Sequence, residues 1–151
     1  MKLAEALNLR ADIQKRIEQT SNRLLLNAKV QAGEKPAEDP KGLLTELNSL
    51  LTQLESLIWK INKKNTETVD KKTTLTELLA KRDCLSQKVQ IMRNFLDAAS
   101  STTTRSTRSE IIIKSTVSVS TMRKEVDKLS KELRELDMRI QGINWITDID
   151  I

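Results

Sequence analysis

Leucine and isoleucine recur at intervals of three and four along most of this chain. The rhythm is cleanest at Leu43, Leu47, Leu50, Leu54, Leu57 and Ile61. Leu44, Leu51 and Ile58 widen that stripe, as a helix in a bundle requires. The pattern fades over INKKNTETV, Ile61 to Val69. An earlier, looser helical segment runs from Leu3 to Gln31, where Leu7, Ile13, Ile17, Leu24 and Ala28 share a stripe that Arg10 and Thr20 interrupt. Between the two lies AGEKPAEDP, Ala32 to Pro40, which Gly33 and Pro36 mark as a loop. Asp39 is placed to cap the next helix with Pro40 at its first position, where proline forfeits no hydrogen bond.

Thr74 and Glu77 have the spacing of a capping box and open a third helix that runs to about Ala99. Its stripe is Leu78, Leu85, Val89, Met92 and Leu96, with Arg82 breaking the apolar run. The hydroxyl-rich SSTTTRSTRS, Ser100 to Ser109, competes with a helix for backbone hydrogen bonds. Glu110 to Ser120 then reads as a strand, with β-branched residues in its first half and partial alternation in its second. A fourth helix starts near Ser120. Met122, Val126, Leu129, Leu133, Leu136, Ile140 and Ile143 repeat along it with the heptad spacing of long helix-on-helix packing. The expected fold is mainly α: one helical domain over residues 1–151, in an antiparallel four-helix arrangement. A short extended or β-hairpin insert, about residues 101–119, separates the third and fourth helices.

A lone strand leaves its backbone groups unpaired. TTTRST could return beside IIIKST as an internal hairpin, or the segment could pair with its copy in another subunit. In the second case Ile111, Ile112, Ile113, Val117 and Val119 form a subunit contact. A third reading is an irregular loop whose isoleucines cover the end of the bundle.

With one Phe, two Trp and no Tyr among 151 residues, the core has to be aliphatic. Three Gly and two Pro leave little material for tight turns, which again favours long helices. The formal charge is +5, a mild and dispersed excess. No apolar run approaches the length that spans a bilayer, and MKLAEALNLR is not built like a signal peptide. The single cysteine, Cys84, suits a reducing compartment, so a cytoplasmic location is expected, as for bacterial chains without export signals. On its helix Cys84 reads as a small packing residue.

The absence of histidine removes the commonest general base and metal ligand. There is no phosphate-binding glycine loop, and no cofactor or metal signature. An enzyme would have to work with carboxylates, lysine, arginine or hydroxyls, and no catalytic residue is singled out. Several polar residues sit on or beside the apolar stripes: Asn62, Asn65, Arg82, Asp83, Asp137, Arg139, Gln141 and Asn144. Buried polar groups are costly unless paired, so these are expected to form a register-setting network or a small polar pocket. Arg105, Arg108 and Lys114, amid threonines, have the chemistry for an anion contact. Trp59 and Trp145 read as core or interface anchors.

Several stretches resemble a small bacterial all-helical family of unassigned function, some of whose members carry the label septicolysin. They are MKLAEAL, NAKVQAGEKPAEDP at Asn27 to Pro40, INKKNTET at Ile61 to Thr68, Arg82 with Asp83, RSEI at Arg108 to Ile111, and ELDMRIQGINW at Glu135 to Trp145. The resemblance implies an all-helical fold and brings no catalytic residues. The label implies pore formation.

Three functional readings follow. The first is a self-associating helical protein with a binding or structural role, a homo-oligomer held by the insert strand and by helix faces. The second is a nucleic-acid-associated helical module, suggested by Lys60, Lys63 and Lys64 with Arg105 and Arg108. The third is a prefoldin-like holdase.

Overall fold

The computed structural model describes residues 1–101 and 112–151. Four helices dominate: α1 (Leu3–Leu26), α2 (Pro40–Glu67), α3 (Leu75–Ser100) and α4 (Val119–Ile146). A two-stranded antiparallel hairpin, β1 (Val69–Asp70) and β2 (Thr73–Thr74), joins α2 to α3, with Val69 opposite Thr74 and Asp70 opposite Thr73. The mainly α, four-helix reading holds.

The chain divides into two compact units. The first comprises Met1–Leu75 with Gly142–Ile151, and the second comprises Thr76–Gln141. In the first unit α1 and α2 run antiparallel, with Thr20 reaching Glu46 and Arg23 reaching Glu38. Leu43, Leu50, Leu57 and Ile61 of α2 are buried, as are Leu3, Ala4, Ala6 and Ile13 of α1. The seven-residue steps from Leu43 to Leu50 to Leu57 keep one face of α2 turned inward. Leu75, Ile143 and Ile149 complete this core. In the second unit α3 and α4 also run antiparallel. Leu78, Val89 and Leu96 are buried on one helix, and Val126, Leu136 and Ile140 on the other.

The start of α2 follows the expected chemistry. The Asp39 carboxylate accepts the Lys41 backbone N–H at 3.2 Å, and Pro40 occupies the first helical position. Thr74 directly precedes α3, with Glu77 in its first turn. The end of α1 differs from expectation: the helix stops at Leu26, not Gln31. Asn27 ends it, its side-chain amide donating to the Arg23 carbonyl at 2.8 Å. The Asn27 side-chain Oδ1 accepts the Glu38 backbone N–H at 2.9 Å, which turns the chain toward α2. Gly33, at φ +86°, supplies the left-handed residue this connection needs. Ala28 lies outside the helix and is exposed, whereas Thr20, expected to interrupt the stripe, is 2 % exposed.

The expected strand over Glu110–Ser120 is not formed among its described residues. Residues 112–118 take no regular structure, and Val119 and Ser120 already belong to α4. The serines explain the difference. The Ser115 hydroxyl donates to the Val117 carbonyl at 2.9 Å, and the Ser118 hydroxyl accepts the Thr121 N–H at 3.5 Å. Hydroxyls used as local turn and cap partners replace the ladder that a strand needs.

The two ends of the first unit meet as a short antiparallel bridge between Lys2 and Asp148. The Leu3 N–H donates to the Thr147 carbonyl at 2.8 Å, and the Ile149 N–H to the Met1 carbonyl at 2.9 Å. The Lys2 ammonium reaches the Asp148 carboxylate at 2.9 Å. That bond, with the positive charge of Lys2, holds the Asp148 carboxyl below its usual range.

Candidate functional site

A second apolar stripe of α2 lies outside the core. Leu51, Leu54, Glu55, Ile58, Trp59 and Asn62 line a shallow groove of about 570 Å³. Their spacing puts them on one helical face, turned away from Leu50 and Leu57. Leu51 is 44 % exposed and Trp59 66 %. Leu44, about two turns before Leu51 on the same side, is also exposed. The sequence pattern widened the inward stripe with Leu44, Leu51 and Ile58, whereas the fold turns the first two toward solvent. A helix that is apolar around most of its circumference ordinarily buries both faces.

Trp145, at the end of α4, is 56 % exposed, so both tryptophans present more than half of their surface. Met138 and Ile146 of α4 and Ile91 and Phe95 of α3 are exposed as well. Cys84, expected to pack, is exposed on α3, because the inward turn there belongs to Leu78 and Leu85.

A charged clamp closes the α1–α2 connection. The Arg23 guanidinium donates through Nε to both carboxylate oxygens of Glu38 at 3.1 Å and through Nη2 to Oε1. Its Nη1 lies 3.6 Å from Glu46 Oε2. Hydrogen bonding to Arg23 is the main cause that holds the Glu38 carboxyl below its ordinary value, and the same bond raises Arg23. Thr20 donates to Glu46 from the buried side at 3.5 Å. Arg16, Gln19 and Asn22 border the cleft beside this clamp. With its carboxylates engaged by arginine, the clamp is a structural latch. Sequence reasoning missed it because its members lie 15 or more residues apart, across a loop.

The eight polar residues singled out by sequence fall in both units. Asn62, Asn65 and Asn144 belong to the first, and Arg82, Asp83, Asp137, Arg139 and Gln141 to the second. Asn62 and Gln141 are exposed, Asn65 is half-buried, and Asn144 is 6 % exposed. In the second unit Arg82 gathers two of the named carboxylates. It donates to Asp83 Oδ1 at 2.8 Å, and its Nε lies 3.9 Å from Asp137 Oδ1. Arg139 is half-buried on α4 and borders a cleft with Lys81 and Glu135. Among the described residues, no three His, Cys, Asp or Glu side chains converge as a metal site would require.

Of the anion-contact residues, Arg105 and Arg108 lie outside the described residues, and Lys114 is exposed. Of the subunit-contact residues, Ile111 lies outside them, Ile112 and Ile113 are exposed, and Val117 and Val119 are half-buried. Among the described residues no helix is long and apolar enough to cross a membrane.

The β1–β2 hairpin is a feature that the sequence reading passed over. Its signal was VDKKTT, in which β-branched Val69, Thr73 and Thr74 flank a two-residue loop, without the Asn-Gly tip that normally announces a hairpin.

A search among curated proteins finds no match. Among solved structures, the chain is similar to a functionally unknown conserved protein from Corynebacterium diphtheriae, at 39 % identity and a TM-score of 0.94, covering 99 % of each chain. Neither that description nor the family's carries the septicolysin name. Residues 10–149 match the model of DUF6847, described as a family of unknown function, and the chain belongs to that family.

Proposed function

We propose that this protein acts by binding, as a helical subunit that pairs with a second copy of itself through the outer face of α2. The observation that carries this reading is Trp59, 66 % exposed beside Leu51 on a face otherwise built like a core. Tryptophan concentrates binding energy at the centres of interfaces. Two features favour a second copy as the occupant. Leu44, Leu51 and Ile58 repeat at the seven-residue step that suits packing against another helix of the same sequence. A two-fold axis across the face would set that stripe against itself. The stretch from Leu44 to Asn62 is also long enough: at 1.5 Å per residue it spans about 27 Å. Two such faces, each about 10 Å across, project roughly 540 Å² together, the scale of a weak, transient pairing. Glu55 is the one charged residue that lines the groove.

Light scattering at micromolar concentration tests this. The native chain is expected at twice 17.2 kDa, and Trp59→Glu at 17.2 kDa with unchanged helical circular dichroism. A native mass that stays at 17.2 kDa overturns the reading. One further observation favours a second activity, association with nucleic acid: the lysine pair at the tip of the β1–β2 hairpin.

A further inference from the structure

Lys71 and Lys72 form the whole loop between β1 and β2, at φ +48° and +72°. A two-residue hairpin loop of this type I′ form needs the left-handed region at both positions, and Asn-Gly enters it with least strain. Lysine does so against the steric preference of every residue with a Cβ. Neither lysine is placed by a packing role, since both are exposed. Neither ammonium group has a carboxylate partner among the described residues. What these side chains add at the tip is charge.

The surroundings share that charge. Residues 60–72 carry five lysines against Glu67 and Asp70, a net +3 out of the whole chain's +5. Lys63 and Lys64 stand near the carbonyl end of α2, where cations also suit the helix dipole. Thr68 ties the hairpin to that end, its N–H and hydroxyl both donating to the Lys64 carbonyl, at 2.9 and 2.8 Å. Counted along the chain, much of the excess falls in this segment, with the Asp148 carboxyl, lowered first by its hydrogen bond to Lys2, close enough to Lys64 to be lowered by that charge as well.

We propose that this lysine-tipped hairpin docks on the phosphate backbone of duplex DNA, without reading its sequence. A two-stranded ribbon fits the major groove of the B-form, which is about 12 Å wide. The deep, narrow major groove of A-form RNA does not admit it. The tip offers no aromatic or long aliphatic side chain to enter a lipid surface. The proposal does not depend on pairing through α2.

The experiment is a fluorescence-polarisation titration of the full chain with a 30-base-pair DNA duplex across a salt series. Binding is expected to weaken linearly on a log–log plot. Replacing both lysines is expected to lower the slope by about 1.8, at roughly 0.9 per phosphate contact. Two variants keep the result independent of folding. Lys71→Asn with Lys72→Gly relaxes the turn and is expected to melt no lower than the native chain while showing that reduction in slope. Lys71→Gln with Lys72→Gln retains side-chain length and is expected to show the same reduction. Absence of native binding at low salt, or a slope unchanged in both variants, overturns the proposal. So does binding to phosphatidylserine vesicles without binding to DNA.

Discussion

Glu38 releases its proton more readily in the folded chain than in the unfolded one, because the carboxylate accepts hydrogen bonds from Arg23. The stability this linkage adds is complete above the ordinary glutamate value of 4.5 and drains away as acid carries the group through its lowered folded value. Both side chains are around two-fifths exposed, so solvent screens the pair and its contribution is modest. Glu38→Gln is expected to lower the melting temperature at neutral pH, with the difference closing as the pH falls below that value. Thermal melts of both proteins across an acid series would show it. A difference that stays constant into strong acid assigns the loss to something other than this charge. Little of this was legible at the level of single residues. Thr20 read as a break in an apolar stripe, yet it is buried because its hydroxyl finds Glu46 across the helix pair. Asn27 sits in a run, LLLNAKVQ, that looks helical throughout, and it stops the helix only because Glu38 returns to meet its side chain. Such partners are set by tertiary contact, which spacing along the chain does not record.

Periodicity served the helices well because it counts turns, and turns alone decide which side chains share a face. Leu43, Leu50, Leu57 and Ile61 were expected inward and are buried. What the count leaves open is how wide the covered stripe is, and α2 shows the consequence. Leu50→Ala, at 1 % exposure, is expected to cost about 2–5 kcal/mol, and Leu44→Ala, on the outer side, less than about 1 kcal/mol. Denaturant titrations of the two variants at a concentration where the chain is monomeric check the contrast. Equal losses would mean that Leu44 is as well packed as Leu50. The residues of the candidate face were thus visible in the sequence, Trp59 as an anchor and Leu51 and Ile58 as stripe members, while their outward direction was not. The hairpin escaped for a different reason. Lysines at left-handed positions carry a steric cost of roughly 1–2 kcal/mol each, so nothing in local preference announces them. The region around Ser115 and Ser118 misled in the opposite sense, since β-branched residues promised a strand that the serine hydroxyls divert.

At the scale of the molecule, the first unit is made of two stretches of sequence, and its core draws on both. Ile149, 4 % exposed, seals it from the carboxyl-terminal side, and its N–H bonds to Met1. Ile149→Ala is expected to cost about 2–5 kcal/mol. Hydrogen exchange should register it as lost protection at Leu3 and along the inward face of α1, and unchanged exchange there would show that the tail only decorates this unit. Four helices, their order and the antiparallel pairing within each unit were readable from apolar spacing. The closing of Lys2 onto Asp148 was not, because a single bridge leaves no repeat to detect. That closure also sets a schedule. On a ribosome, α1 and α2 are made long before Gly142 and the residues after it, with the whole second unit synthesised in between. At about 5–20 residues per second, the wait lasts roughly 3–13 seconds. Throughout that interval the nascent helix pair stands open where Ile143 and Ile149 will later seat. Newborn chains are therefore most exposed to one another, and most in need of shielding, at a moment fixed by the order of their own sequence.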